Sequence, residues 1–149
     1  GITTSAALPI SVGLLSDTAG YFDTLSAYRD GDVEPVIALF ARSALAATER
    51  GTWLANELND VREEWNDQLT ARADALAWQV LDLLVQRPIL TAAVVAEEFD
   101  ASVETARNAL ERLEADGIVV GGQLDRRRRA WRSPDVLELL DEFAAVRRS

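Results

Sequence analysis

A mainly α chain is what the sequence predicts: a helical first part, then a helix-turn-helix closed by a small β-hairpin. Three observations predict it. Apolar residues recur at alternating steps of four and three over 33–65, the spacing of a long helix with a single seam. Two short helical patterns, opened by Thr91 and Ser102, follow one another across a tight turn; hydroxyl residues are favoured N-caps. Gly117 stands where the second pattern ends, Ile118-Val119-Val120 begins a strand, and a return strand carries Arg126, Arg127, Arg128, Arg129 and Arg132,.

Taken in order, residues 1–15 are apolar and interrupted by Pro9, with Leu8, Ile10, Val12, Leu14 and Leu15 suited to covering another surface,. Ser16 caps a helix over 17–29, with Asp17 at its positive end and Tyr21, Phe22, Leu25 and Tyr28 as its apolar side,. Gly31-Asp32 makes a turn. The long helix enters at Val33, tolerates Pro35 in its first turn, and carries its seam on Val33, Ile37, Phe40, Ala44, Ala47, Gly51, Leu54, Leu58, Val61 and Trp65,. Gly51 costs about 1 kcal/mol relative to alanine, so a kink or break is expected there. The seam's partner is the preceding helix, another part of a larger protein, or a second copy. It lapses over 69–74, which places the boundary between a segment 1–72 and a domain 73–149.

Residues 75–86 form the first helix of that domain. Leu76, Val80, Leu83 and Leu84 lie on one face and Trp78, Leu81 and Val85 on the other, so it is covered from both sides,. Val94, Val95, Ala96 and Phe99 give the next helix an apolar stripe. At 100° per residue the helix over 102–116 turns Val103, Ala106, Leu110 and Leu113 inward. Thr105, Asn108 and Arg112 fall nearly opposite, with Glu104, Arg107, Glu111 and Glu114 between. After the hairpin, Ser133-Pro134 opens a last helix over 135–146 with Val136, Leu139, Leu140 and Phe143 as its stripe,. Helix, turn, helix and hairpin together have the layout of a winged helix-turn-helix.

That layout and its side chains suggest double-stranded DNA. Asparagine reads adenine edges and arginine reads guanine edges or phosphate, which suits Ser102, Thr105, Arg107, Asn108 and Arg112 on the second helix. On the return strand, alternation puts Arg128 and Arg132 with Ala130 on one face and Arg127, Arg129 and Trp131 on the other, so guanidinium groups line both sides of the wing. A second reading has these arginines neutralising surplus carboxylates, with the winged helix serving as a protein-interaction or dimerisation module.

Composition narrows the chemistry. The chain has 149 residues and a formal charge of −10. Residues 1–74 hold 12 acidic side chains against 5 arginines, and residues 75–149 hold 13 against 10, so any DNA contact must be local and salt-dependent. Cysteine and histidine are both absent, which removes thiolate nucleophiles, zinc-thiolate sites and every Ser-His or Cys-His triad. Catalysis by this chain alone is not expected. No run reaches transmembrane length and no leader pattern stands out, so a cytoplasmic location is expected and no membrane contact. The start at Gly1, without methionine, reads as a piece of a longer protein.

Several runs then resemble the part of Fic (Fido) proteins that follows their active-site loop: Leu8-Pro9-Ile10-Ser11, Tyr21-Phe22-Asp23-Thr24-Leu25, Arg29-Asp30-Gly31-Asp32, and Glu34-Pro35 through Leu39-Phe40. Glu63-Glu64-Trp65, the winged helix and the arginines of 126–132 are similar to the C-terminal extension of a long bacterial Fic subgroup. Val36 stands where that family usually has tryptophan, and Leu39 where it often has phenylalanine. The family's His-Pro-Phe-x-Asp/Glu-Gly-Asn-Gly-Arg loop has no counterpart here. What the resemblance implies is therefore a non-catalytic C-terminal fragment, with transfer of AMP from ATP to protein Ser, Thr or Tyr, and the magnesium it needs, belonging to an intact parent. It also implies that Tyr21 lies near the nucleotide pocket of such a parent, against the alternative of a half-buried helix tyrosine. Protein targets of the parent and a homodimer through the helix 33–65 complete the expected partners.

Overall fold

The computed structural model describes residues 14, 18–72, 75–125 and 128–145. Its elements are α1 (Thr18–Arg29), α2 (Glu34–Gln68), α3 (Leu76–Gln86), β1 (Ile89–Thr91), α4 (Ala92–Glu98), α5 (Val103–Ala115), β2 (Val120–Gln123), β3 (Arg129–Arg132) and α6 (Pro134–Ala145). All of the expected segment 1–15 except Leu14, the Ser16 cap, Asp17, residues 73 and 74, Arg126, Arg127 and residues 146–149 lie outside the described residues. The chain divides into two compact units, with breaks after Ala55 and after Asp141.

The central unit has the helix, turn, helix and sheet layout of a winged helix-turn-helix. Its caps are those the sequence predicts: the Thr91 hydroxyl accepts the Val94 N–H at 3.4 Å and the Ser102 hydroxyl accepts the Thr105 N–H at 3.0 Å. Each satisfies an N–H that a helix start leaves open. Asp100 takes a left-handed backbone (φ 49°) in the turn between α4 and α5, a conformation aspartate tolerates better than most residues,. Gly117 (φ 82°) lets the chain leave α5, and the Ile118 N–H closes back on the Leu113 carbonyl at 2.9 Å,.

The wing is a three-stranded antiparallel sheet in the order β1-β3-β2, not a hairpin alone. Three residues, Ile89, Leu90 and Thr91, pair with Arg132, Trp131 and Ala130. Across β3, Val120, Gly121, Gly122 and Gln123 face Arg132, Trp131, Ala130 and Arg129. The second strand starts at Val120; Ile118 and Val119 are buried as the approach to it. One sheet face carries Leu90 and Trp131 into the core, where they join Val80, Leu81 and Leu84 of α3, Val95 of α4, Ala106, Leu110 and Leu113 of α5, and Val136 of α6. Leu81 is fully buried and Trp78 and Val85 pack partly against the same cluster, so α3 is covered from both sides, as its two apolar faces require.

The long helix contributes to this core. Trp65 and Leu69 are buried in it and Leu58 and Val61 pack against it, although all four precede the boundary expected near residue 72. Trp65 Nε1 donates to Asp135 at 3.0 Å and the Arg62 guanidinium pairs with Asp82 at 2.7 Å. Ser133 is buried and its hydroxyl accepts the Val136 N–H at 3.4 Å, capping α6.

The other unit holds α1, the first part of α2 and the end of α6. α2 runs through Gly51 without the expected break. Leu39, Ser43 and Ala47 form its buried stripe, while Val33, Ile37 and Phe40 of the expected seam are exposed, as are Phe22 and Tyr28 of α1. Of the expected seam in this unit, Ala47 is buried while its first members are exposed, so the buried stripe follows the expected seam only in part. Arg50 lies over the Phe143 ring, 5.2 Å from its centroid, and donates to the Phe143 carbonyl at 2.8 Å. Among the described residues no helix is long and apolar enough to cross a membrane.

Candidate nucleic-acid interface

α5 is amphipathic, and its orientation decides what it can present. Ala106, Ala109, Leu110 and Leu113 are its buried residues, the i, i+3, i+4, i+7 set of a single inward face. Val103 does not belong to that face. It is 49% exposed, and at 100° per residue it lies about 70° from the centre of the inward face. The rotation also moves the outward crest. At 100° per residue the positions furthest from the core are Glu104, Asn108, Glu111 and Ala115, with Arg107 on one flank and Thr105 and Arg112 on the other.

Those flanks open on two different clefts. Thr105, Asn108 and Arg112 line one of about 380 Å³ with Ala71, Ala75, Leu76 and Ala77. Arg107 and Glu111 line another of about 400 Å³ with Arg128, Arg129, Gln123 and Thr91. The stripe expected to read bases and the wing arginines are therefore separated by the crest of the helix. Ser102, Thr105, Arg107, Asn108 and Arg112 are all exposed. Arg132 is in neither cleft: it sits at the far end of β3 from the wing tip, between the exposed Ile89 and Val120.

The arginines are held by carboxylates of the same unit. Arg107 pairs with Glu104 at 3.3 Å, Arg112 with Asp116 at 3.1 Å, Arg128 with Asp125 at 2.6 Å and Arg129 with Glu114 at 2.8 Å. The guanidinium groups of Arg107, Arg112, Arg128 and Arg129 nevertheless keep 45% to 70% of their side-chain exposure. Simple open pairs such as those of Arg107, Arg112 and Arg128 are worth about 0–1 kcal/mol each, so a phosphate can replace those carboxylates at little cost. The Arg132 guanidinium has no partner among the described residues.

Glu114 joins the wing to α5. Its carboxylate accepts the Gly121 N–H at 3.2 Å, Arg129 Nη2 at 2.9 and 2.8 Å, and Trp131 Nε1 at 2.8 Å. Arg129 lies over the Trp131 ring, 5.1 Å from its centroid, a cation–π contact. No feature of the sequence marked Glu114 beforehand, since its partners are 7 to 17 residues away. Asp116, the C-cap of the same helix, ties this end of α5 to the chain after α2 as well, accepting the Thr70 N–H at 2.9 Å and its hydroxyl at 3.1 Å.

Both carboxyls are held below their ordinary range. The Trp131 hydrogen bond does most of this for Glu114, against an opposing effect of burial and with help from Arg129 and Gly121. For Asp116 the Thr70 N–H does most, again against burial. A carboxyl depressed in the folded state stabilises the fold above its unfolded value and ceases to do so as pH falls through the folded value. Thermal stability is thus expected to hold above the ordinary glutamate value of 4.5 and to fall progressively below it. Melting followed by circular dichroism from neutral to acidic pH checks this, and a melting temperature flat through that range would refute it.

Tyr21 is half-buried in α1 against Phe22, with ring centroids 5.7 Å apart. Among the described residues no group of three or more acidic side chains converges as a metal site. No protein-family model and no curated protein matches this chain.

Proposed function

We propose that this chain is the non-catalytic C-terminal part of a Fic-family protein, and that its winged helix is a regulatory module that binds double-stranded DNA in the cytoplasm. The observation that carries the DNA reading is the cleft between α5 and the wing, where Arg107, Arg128 and Arg129 converge with their guanidinium groups still open to solvent. Ser102, Thr105, Asn108 and Arg112 are exposed along the same helix. In this arrangement the wing arginines take phosphates and Asn108, at the crest, takes a base edge. Glu104 and Glu111 beside it repel phosphate, so binding is weak, local and strongly dependent on salt. The Fic reading rests on the runs between Leu8 and Phe40, and AMP transfer with ATP and magnesium is assigned to the intact parent only.

Arg128→Glu combined with Arg129→Glu is expected to abolish retardation of duplex DNA in a gel. Both side chains are exposed, but Arg129→Glu sets a second carboxylate against Glu114, so a native circular dichroism spectrum of the variant is required to separate lost binding from lost fold. Salt-sensitive binding that survives in that variant would sink the DNA reading.

One observation favours a second reading, in which the module docks protein. The crest of α5 is acidic, and the unit's arginines in both clefts already have carboxylate partners. The exposed ledge of Val33, Ile37 and Phe40 then packs on the remainder of the parent or on a second copy. Light scattering separates the two readings: a monomer at all concentrations that gains mass only with duplex DNA supports the first.

A further inference from the structure

Among the described wing arginines, Arg129 is the one that pairs with a carboxylate of α5 and also stacks on an aromatic ring. Its guanidinium makes two contacts with the Glu114 carboxylate and stacks on Trp131, whose indole N–H binds the same carboxylate. The backbone has made room for this pair. A Cβ on Gly121 would stand 2.6 Å from Arg129 Nη2 and 2.7 Å from Glu114 Oε1, closer than any real Cβ contact, so the pair lies directly across the glycine. Glu114 thus offers Arg129 the charge and the paired oxygens that a backbone phosphate would offer.

We propose that Glu114 is an internal stand-in for phosphate that gates the wing: Arg129 reaches DNA only by exchanging this carboxylate for a phosphate oxygen. The inference rests on the DNA reading above. The exchange is feasible because Arg129 and Glu114 keep 46% and 31% of their side-chain exposure. It is costly in one respect, since the carboxylate left behind stays beside the incoming phosphate and repels it. Glu114 is a positioning residue in this scheme, and it acts by withholding Arg129.

Glu114→Gln tests the gate. Gly121 and Trp131 donate to different oxygens of the carboxylate; the amide keeps one oxygen for one of these donors and removes the charge that holds Arg129. Binding of a fluorescein-labelled random-sequence duplex is followed by anisotropy between about 50 and 200 mM salt. Relative to the wild type, the variant is expected to bind about tenfold tighter, and the slope of log K against log salt steepens by about 0.9, one more phosphate contact. Adding Arg129→Ala to Glu114→Gln is expected to abolish both gains, which a merely structural role for Glu114 would not produce. If Glu114→Gln loses the native circular dichroism spectrum, Gly121→Ala takes its place: its Cβ would stand 2.6 Å from Arg129 Nη2 and 2.7 Å from Glu114 Oε1 and so displaces the pair, and a gain in the same direction but smaller is expected, because the carboxylate charge remains. A wild type that binds DNA alongside a folded variant of unchanged affinity and slope overturns the gate and leaves the DNA reading intact. If neither protein binds at any salt concentration, the DNA reading fails and the gate with it.

Discussion

Trp65→Ala is expected to destabilise the central unit by about 3–5 kcal/mol, the usual cost of emptying a large buried aromatic site. Trp65 is fully buried, and it comes from the long helix and not from the winged helix-turn-helix proper. Its ring fills the core beside Leu69, Val80 and Val136 while its N–H reaches Asp135 in the first turn of α6. Deleting it leaves a cavity and an acidic side chain without its donor. A typical domain has about 5–15 kcal/mol of stability in all, so the variant would be close to unfolding at room temperature. Urea unfolding followed at 222 nm reads the loss, and a change under about 1 kcal/mol would mean that the end of α2 is not part of the unit. Trp65→Phe keeps most of the packing and removes the hydrogen bond, for which about 1 kcal/mol is expected.

Trp131→Ala is expected to cost a similar amount, about 3–5 kcal/mol, and to loosen the wing as well. The residue is 1% exposed in the middle strand, opposite Leu90 on one side and Gly121 on the other. Its ring is the floor under Arg129, and its N–H is the largest influence holding the Glu114 carboxyl below its ordinary range. Removing the ring therefore takes away core, cation–π partner and carboxylate anchor at once. Amide hydrogen exchange at Gly121, whose N–H is bound to Glu114, should accelerate by far more in Trp131→Ala than in Trp131→Phe. Equal protection in the two variants would show that the wing is held by sheet pairing alone.

Both effects arise from side chains whose role is spread over distant parts of the chain, which is also where the sequence was hardest to read. The caps at Thr91 and Ser102, the stop at Gly117, the helix that Pro134 opens and the mainly α class were all legible. Each depends on residues within a turn or so of one another. The candidate interface was legible only in part: Asn108 and the paired arginines are exposed as expected, but they look into two clefts. Counting Val103 as an inward residue tilted the assumed face of α5, and Ala109, too small to stand out in an apolar pattern, is what sets the real one.

Strand β1 shows the same limit. Ile-Leu-Thr is too short to reveal a period of two, and it becomes a strand because β3 offers it partners 40 residues later,. The sequence by itself determined where helices start and stop, how the charge is distributed, and that no histidine or cysteine exists to do chemistry, because those properties are local or compositional. Only the tertiary structure decided which way α5 faces, where Trp65 is buried and which carboxylate each arginine holds. Those outcomes depend on the distance between atoms far apart in the chain, and an ion pair or a packed ring is worth something only at contact range.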